Sequence, residues 1–164
     1  MRKLNVGCGT NYAEGYEHLD MYVDAPFIDF KCDAKDVPVE DETFDVIYAR
    51  HWLEHLYYYE ALETLGILIK KLKKGGYLHL IVPDLKYHAE QLFLNGNSLY
   101  VPKQSNLNHA IAGFYGWVKK GECYMSHKHG YTKESMEELI NILGLELEWN
   151  NRRECDLELK AYKL

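Results

Sequence analysis

Two apolar runs of strand length, TFDVIYA at 43–49 and GYLHLIVPD at 76–84, constrain this chain more than any other feature. Both are rich in β-branched and aromatic residues, so each reads as a buried strand. Between them Leu62, Leu65, Ile69 and Leu72 recur at spacings of three and four. That is one face of a helix, which begins near His51 or Tyr57, runs to Lys73 and stops at Gly75. A strand, a helix and a second buried strand make a βαβ unit, which requires two parallel strands with the helix packed across them.

The rest of the chain extends this unit. KLNVG (3–7), YEHLD (16–20) and PFIDFKCD (26–33) read as further strands, and KYHAEQLFL opens another helix. Near the end, Thr132 caps a helix carrying Met136, Leu139, Ile140 and Leu143 on one face, and Gly144 stops it. LELEWN (145–150) and CDLELKAY (155–162) follow with only NRRE between them, so they form an antiparallel hairpin at a sheet edge. The expected fold class is α/β: a doubly wound, mostly parallel, seven-stranded Rossmann-like sheet with a C-terminal antiparallel hairpin, in a single domain spanning 1–164. The segment 96–131 is too long for an ordinary connection and is rich in Gly, Asn, His and aromatic residues. It reads as a lid or substrate loop.

Composition excludes several function classes. A net charge of −6 disfavours a nucleic-acid partner, since neutralising phosphates needs a basic surface, and KKLKK (70–74) reads as a solvated helix end. No apolar run approaches the roughly 18–20 residues that cross a bilayer, so no membrane association is expected. Met1-Arg2-Lys3 leads straight into a strand with no apolar leader, which points to the cytoplasm. The four cysteines, Cys8, Cys32, Cys123 and Cys155, are far apart and fit a reduced compartment better than a disulfide framework. Fourteen tyrosines are mostly packing residues, with a few available to line a pocket.

NVGCGTN after the first strand is a glycine turn that lets backbone approach a bound group, and Asp20 closes the second strand. In a nucleotide-binding sheet such an acid accepts ribose hydroxyls. The third glycine of a dinucleotide fingerprint is missing, because position 12 is Tyr and Gly15 is out of register, which disfavours NAD and FAD. No nucleoside-triphosphate loop is present either.

The segment RHWLEHL (50–56) has two readings. As H-x-x-E-H it matches an inverted zinc-protease helix with His51 and His55 as ligands and Glu54 as base. Behind FDVIYA, however, it is the exit of a buried strand, which puts His51 in a turn and not on a regular helix. The strand-exit reading is preferred. His55 then reads as a hydrogen-bonded helix histidine and Glu54 as a helix N-terminal charge.

In LNVGCGTN, HLD, CDAKDVPVEDETFDVIYARHWLEHL, LKKGGYLHLIVPD and HKHGYTKESMEELINILGL, the chain resembles the class I S-adenosylmethionine-dependent methyltransferases, in particular the small group related to methyltransferase type 11. The five motifs occur in the family's order over nearly the whole length. The resemblance implies a cofactor site that includes Thr10, with Gly7 and Gly9 beside the methionine part, Asp20 on the ribose and Met21 on the adenine face. Asp33 would accept from the adenine amino group, Ala34 would sit at the ring edge, and Arg50, His51 and Trp52 would lie beside the sulfonium. Two departures stand out: Asn5 replaces a frequent acid, and only eleven positions separate Gly9 from Asp20, so the first helix must be very short or absent.

The implied activity is transfer of a methyl group from S-adenosylmethionine, leaving S-adenosylhomocysteine, to a small-molecule acceptor, a hydroxyl before a nitrogen and possibly on a sugar. The alternative is a non-catalytic cofactor-binding module acting with a partner protein. His51, His55, His109, His127 and His129 are candidates to converge near the strand ends, and SHKHGY carries an H-x-H spacing compatible with a metal. No cysteine pairs with them, so the expectation is no metal and a histidine base, His127 first and His109 second.

Overall fold

The computed structural model describes residues 1–164. One six-stranded sheet, in the order β2-β1-β3-β4-β6-β5, organises the chain. Its strands are β1 (Lys3–Val6), β2 (Glu17–Leu19), β3 (Phe44–Arg50), β4 (Leu72–Pro83), β5 (Glu146–Arg153) and β6 (Asp156–Tyr162). The first four are parallel, and β6 runs antiparallel to both β4 and β5. The C-terminal hairpin is therefore present and adds itself to the edge of β4.

The helices are α1 (Tyr58–Lys71), α2 (Leu85–Gln91), α3 (Asn106–Tyr115) and α4 (Lys133–Ile142). In α1, Ala61, Thr64, Leu65 and Leu68 are buried, so of the expected stripe Leu65 is fully buried, Leu62 and Ile69 pack at its margin, and Leu72 belongs to β4. Thr132 caps α4 by accepting from Ser135 N, and Met136, Leu139 and Ile140 face the core. Those side chains meet Leu4, Val6, Phe44, Ile47, Leu78 and Leu80 of the sheet in one apolar cluster.

The expected third strand is the correction. Over residues 26–33 only a single parallel bridge forms, Leu19 to Phe30, so the sheet has six strands and not seven. Pro26 and Phe27 turn the chain, and the Asp29 carboxylate accepts from His18 N at 2.8 Å. A side chain thus takes part of the outer hydrogen bonding that a further strand would have used, beside a β2 only three residues long. No helix forms between β1 and β2, as the short spacing implied.

Candidate active site

The chain leaves β1 to build β2 on one side, then returns to build β3 on the other. The carboxyl ends of β1 and β3 therefore flank a switch point, where an open α/β sheet offers its crevice. β1 enters that crevice through Gly7-Cys8-Gly9, with φ of 62° at Gly7 and 57° at Gly9, backbone that a side chain would strain. A Cβ at Gly7 would lie 2.3 Å from Trp52 Cδ1, whereas one at Gly9 would meet nothing within 4 Å. Gly7 lets Trp52 close against the turn, and Gly9 presents bare backbone to open space.

Asp20 ties the end of β2 to this turn. Its Oδ2 accepts from Gly9 N at 2.8 Å, and its Oδ1 accepts from Tyr22 N and Val23 N, each at 2.8 Å. A carboxylate offers about four acceptor positions, so one remains, on Oδ2.

At the end of β3, His51 adopts a left-handed φ of 51°. Its Nε2 lies 3.1 Å from Asp156 Oδ2 on β6, and its Nδ1 lies 3.5 Å from Glu54 Oε1. Burial alone would lower the His51 pKa, but the Asp156 and Glu54 carboxylates outweigh it and raise it to about 9. The ring is an imidazolium at neutral pH, and its two ion pairs hold the strained backbone in place.

A cavity of about 320 Å³ opens between these strand ends and the segment after α3. Gly7, Gly9, Asp20, Arg50, His51 and Trp52 line it together. Tyr22 and Tyr124 close one side as a stacked pair, ring centroids 4.3 Å apart and 11° from parallel. His51 also lines a smaller cavity of about 80 Å³, which adds His88, His109, His127, Trp117 and Asp156.

The two histidines expected as bases differ in whether they leave a lone pair free. Ser98 Oγ accepts from Tyr100 N and Val101 N, which occupies both of its lone pairs. Its hydroxyl proton goes to His109 Nδ1 at 2.8 Å, so His109 carries its own proton on Nε2 and acts there as a donor. His127 Nδ1–H donates to the Gly113 carbonyl at 2.9 Å, which leaves a lone pair on Nε2, 3.9 Å from Glu54 Oε1. Burial lowers the pKa of both rings.

Four of the expected cofactor residues do not line the cavity. Thr10 and Met21 are exposed, Asp33 accepts from Lys35 N at the head of a short 3-10 turn, and Ala34 is buried in the core. Residues 33 and 34 follow the strand that does not form, so they are not carried to the crevice. The reading from sequence missed Tyr22, Tyr124, Met125 and Lys128 as lining residues. For the tyrosines the only local signal was their abundance.

A parallel sheet with a glycine turn after β1 and an acid closing β2, both at the switch-point crevice, defines a methyltransferase of the class I α/β kind. The chain belongs to the methyltransferase-domain family, whose model matches residues 1–148. Among solved structures, an S-adenosylmethionine-dependent methyltransferase from Mesorhizobium loti is similar with a TM-score of 0.68 at 14% identity, covering 99% of this chain and 90% of that one. The 1,6-didemethyltoxoflavin-N1-methyltransferase of Burkholderia thailandensis, solved with 1,6-didemethyltoxoflavin and S-adenosylhomocysteine, gives 0.65 at 14% identity, covering 98% and 70%. A methyltransferase of Haloferax volcanii, solved in complex with a methyltransferase activator, gives 0.63 at 14%, covering 98% and 81%. No curated protein matches the sequence.

Proposed function

We propose that the chain transfers a methyl group from S-adenosylmethionine to a hydroxyl of a small-molecule acceptor. The observation that carries the cofactor half is the cavity of about 320 Å³ joining the glycine turn, Asp20 and the Arg50-His51-Trp52 exit. Its size lies within the range of small-molecule sites, and the open space above Gly9 admits a ligand against bare backbone. In this reading the remaining Oδ2 position of Asp20 takes one ribose hydroxyl, and Arg50 attracts the amino-acid carboxylate. Tyr22 and Tyr124 supply the adenine face in place of Met21. Bound there, the cofactor supplies an electrophilic methyl group, and the chain's own task is alignment and removal of the acceptor proton.

The acceptor belongs on the other side of His51, in the histidine-lined cavity closed by Trp117 from the 96–131 segment. His127 is the histidine assigned to the acceptor oxygen, because its Nε2 lone pair is free. At about 80 Å³ this cavity admits the reacting hydroxyl end of an acceptor, whose remainder lies outside it, and its hydrogen-bonding side chains suit a hydroxyl better than an apolar group.

The partner-dependent reading is favoured by one observation. Leu107, Ile111 and Tyr115 form an exposed stripe along α3, continued by exposed Trp117 and Val118. Thermal denaturation with S-adenosylhomocysteine tests the cofactor, and a screen of hydroxylated acceptors with radiolabelled S-adenosylmethionine tests the reaction. A folded sample that shows no shift sinks the first half. A thermal shift without methyl transfer to any acceptor moves the binding-module reading ahead.

A further inference from the structure

Glu54 is 1% exposed, and neither of its carboxylate oxygens has a hydrogen-bond partner. A buried carboxylate without partners costs several kcal/mol, so the surroundings must supply positive charge. On one side the His51 ring lies 3.5 Å from Oε1, an ion-pair distance without hydrogen-bond geometry. On the other, His127 turns its Nε2 lone pair toward the same oxygen at 3.9 Å, its Nδ1–H being held by Gly113 O. Two lone pairs face each other there. The His55 ring completes the group, 5.1 Å from the His127 ring and at 74° to it, with Nδ1 3.2 Å from Ser126 O.

We propose that Glu54, His55 and His127 bind a divalent cation of the first transition row. One donor atom from each lies within 4.8 Å of the others. Around a zinc-sized ion such donors sit about 3.3 Å apart, so a closure of about 1.5 Å at most completes the site. Two imidazoles and one carboxylate favour a transition ion over Mg²⁺. Backbone carbonyls orient both rings, as the outer partners of metal-bound histidines do. The frame is also rigid: the Glu54 carbonyl accepts from Lys128 N at 2.7 Å and from His129 N at 3.3 Å, which fastens the 123–131 segment to the Glu54 turn.

His55 lines the larger cavity and His127 the smaller one, so the ion stands at their junction. A cation there would lower the pKa of a hydroxyl that reached it, and His127, its Nε2 lone pair then taken by the ion, would act on the acceptor oxygen as a ligand and not as a free base. Cysteine is not part of the set, and burial pushes the Cys8 and Cys155 thiols up to about 11, which keeps them protonated.

The test uses the full chain, stripped with chelator and titrated with Zn²⁺ against a chromophoric competitor, with Co²⁺ as an optical probe. One equivalent should bind. Glu54→Gln and His127→Gln should each weaken binding at least about tenfold, while Cys8→Ser and Cys155→Ser leave it unchanged. If Glu54→Gln does not fold, His55→Ala replaces it. A folded wild-type chain that binds neither ion overturns the proposal, as does binding that persists in the Glu54 and His127 variants. So does binding lost only with a cysteine. The same stripped samples are heated with S-adenosylhomocysteine: a shift there without metal binding rejects the cation site alone, whereas metal binding without a shift rejects the cofactor reading alone.

Discussion

At the residue scale, Asp20 has a structural duty beyond the ribose role proposed for it. Asp20→Ala removes the acceptor for three backbone N–H groups, each a charge-assisted bond worth about 1.5–3 kcal/mol. Chemical denaturation should therefore show a loss of about 3 kcal/mol or more, and calorimetry at low temperature should show cofactor affinity falling with it. Full affinity in a folded Asp20→Ala chain would remove the acid from the site. His127→Ala and His109→Ala should behave differently, because both line the cavity proposed for the acceptor and neither lines the one proposed for the cofactor. With an acceptor in hand, turnover should drop while the cofactor Kd stays within about threefold, about 0.65 kcal/mol. Lower thermal stability with turnover per folded molecule retained would make them packing histidines.

At the element scale, the decisive unit is the segment between α2 and α4. It folds into α3 and a short 3-10 turn at Cys123–Met125, which brings Tyr124 onto Tyr22. Tyr124→Ala should open that side of the cofactor cavity and raise the dissociation rate, read by stopped-flow release of a fluorescent cofactor analogue. An unchanged rate would mean that the stacked pair does not retain the cofactor. The glycine turn is the second such unit. Gly7→Ala adds a Cβ both at positive φ and 2.3 Å from Trp52, so Trp52 must move and the crevice with it. A crystal structure of that variant with Trp52 in place would contradict the close-packing account.

At the scale of the whole molecule, histidines whose pKa is depressed by burial contribute to the response to acid. Burial lowers His88 to about 4, and it also lowers His109, His127 and His129. In the unfolded chain each titrates near 6.5, so between about 6.5 and 4 the unfolded state binds more protons than the folded one. The stability these groups contribute is complete above about pH 6.5 and is lost as pH falls toward the folded values. For His88 alone the slope reaches at most about 1.36 kcal/mol per pH unit. His88→Asn should flatten the denaturation profile between pH 4 and 6.5; an unchanged profile would place the acid sensitivity elsewhere. Saturating cofactor should oppose the loss, adding about 2.7 kcal/mol at 100 times its Kd, and NAD should add nothing.

Much of this was legible in the sequence, for a local reason. Strand and helix order follows from residue periodicity, and the glycine turn, the Thr132 cap and the C-terminal hairpin are each written in a few consecutive residues. The grouping of Gly7, Gly9, Asp20 and residues 50–52 came with the family resemblance, and the chain's own strand ends bring them together. What the tertiary structure decided depends on partners distant in sequence. Residues 26–33 make only a single bridge to β2, with the Asp29 carboxylate bonded back to His18 N, and Asp33 and Ala34 lie away from the crevice. Glu54 reads locally as a helix-end charge, yet it becomes a buried carboxylate with no hydrogen-bond partner because the 123–131 backbone folds over it and delivers His127. Periodicity reports which face of an element is apolar, but only packing determines which polar groups share the buried space.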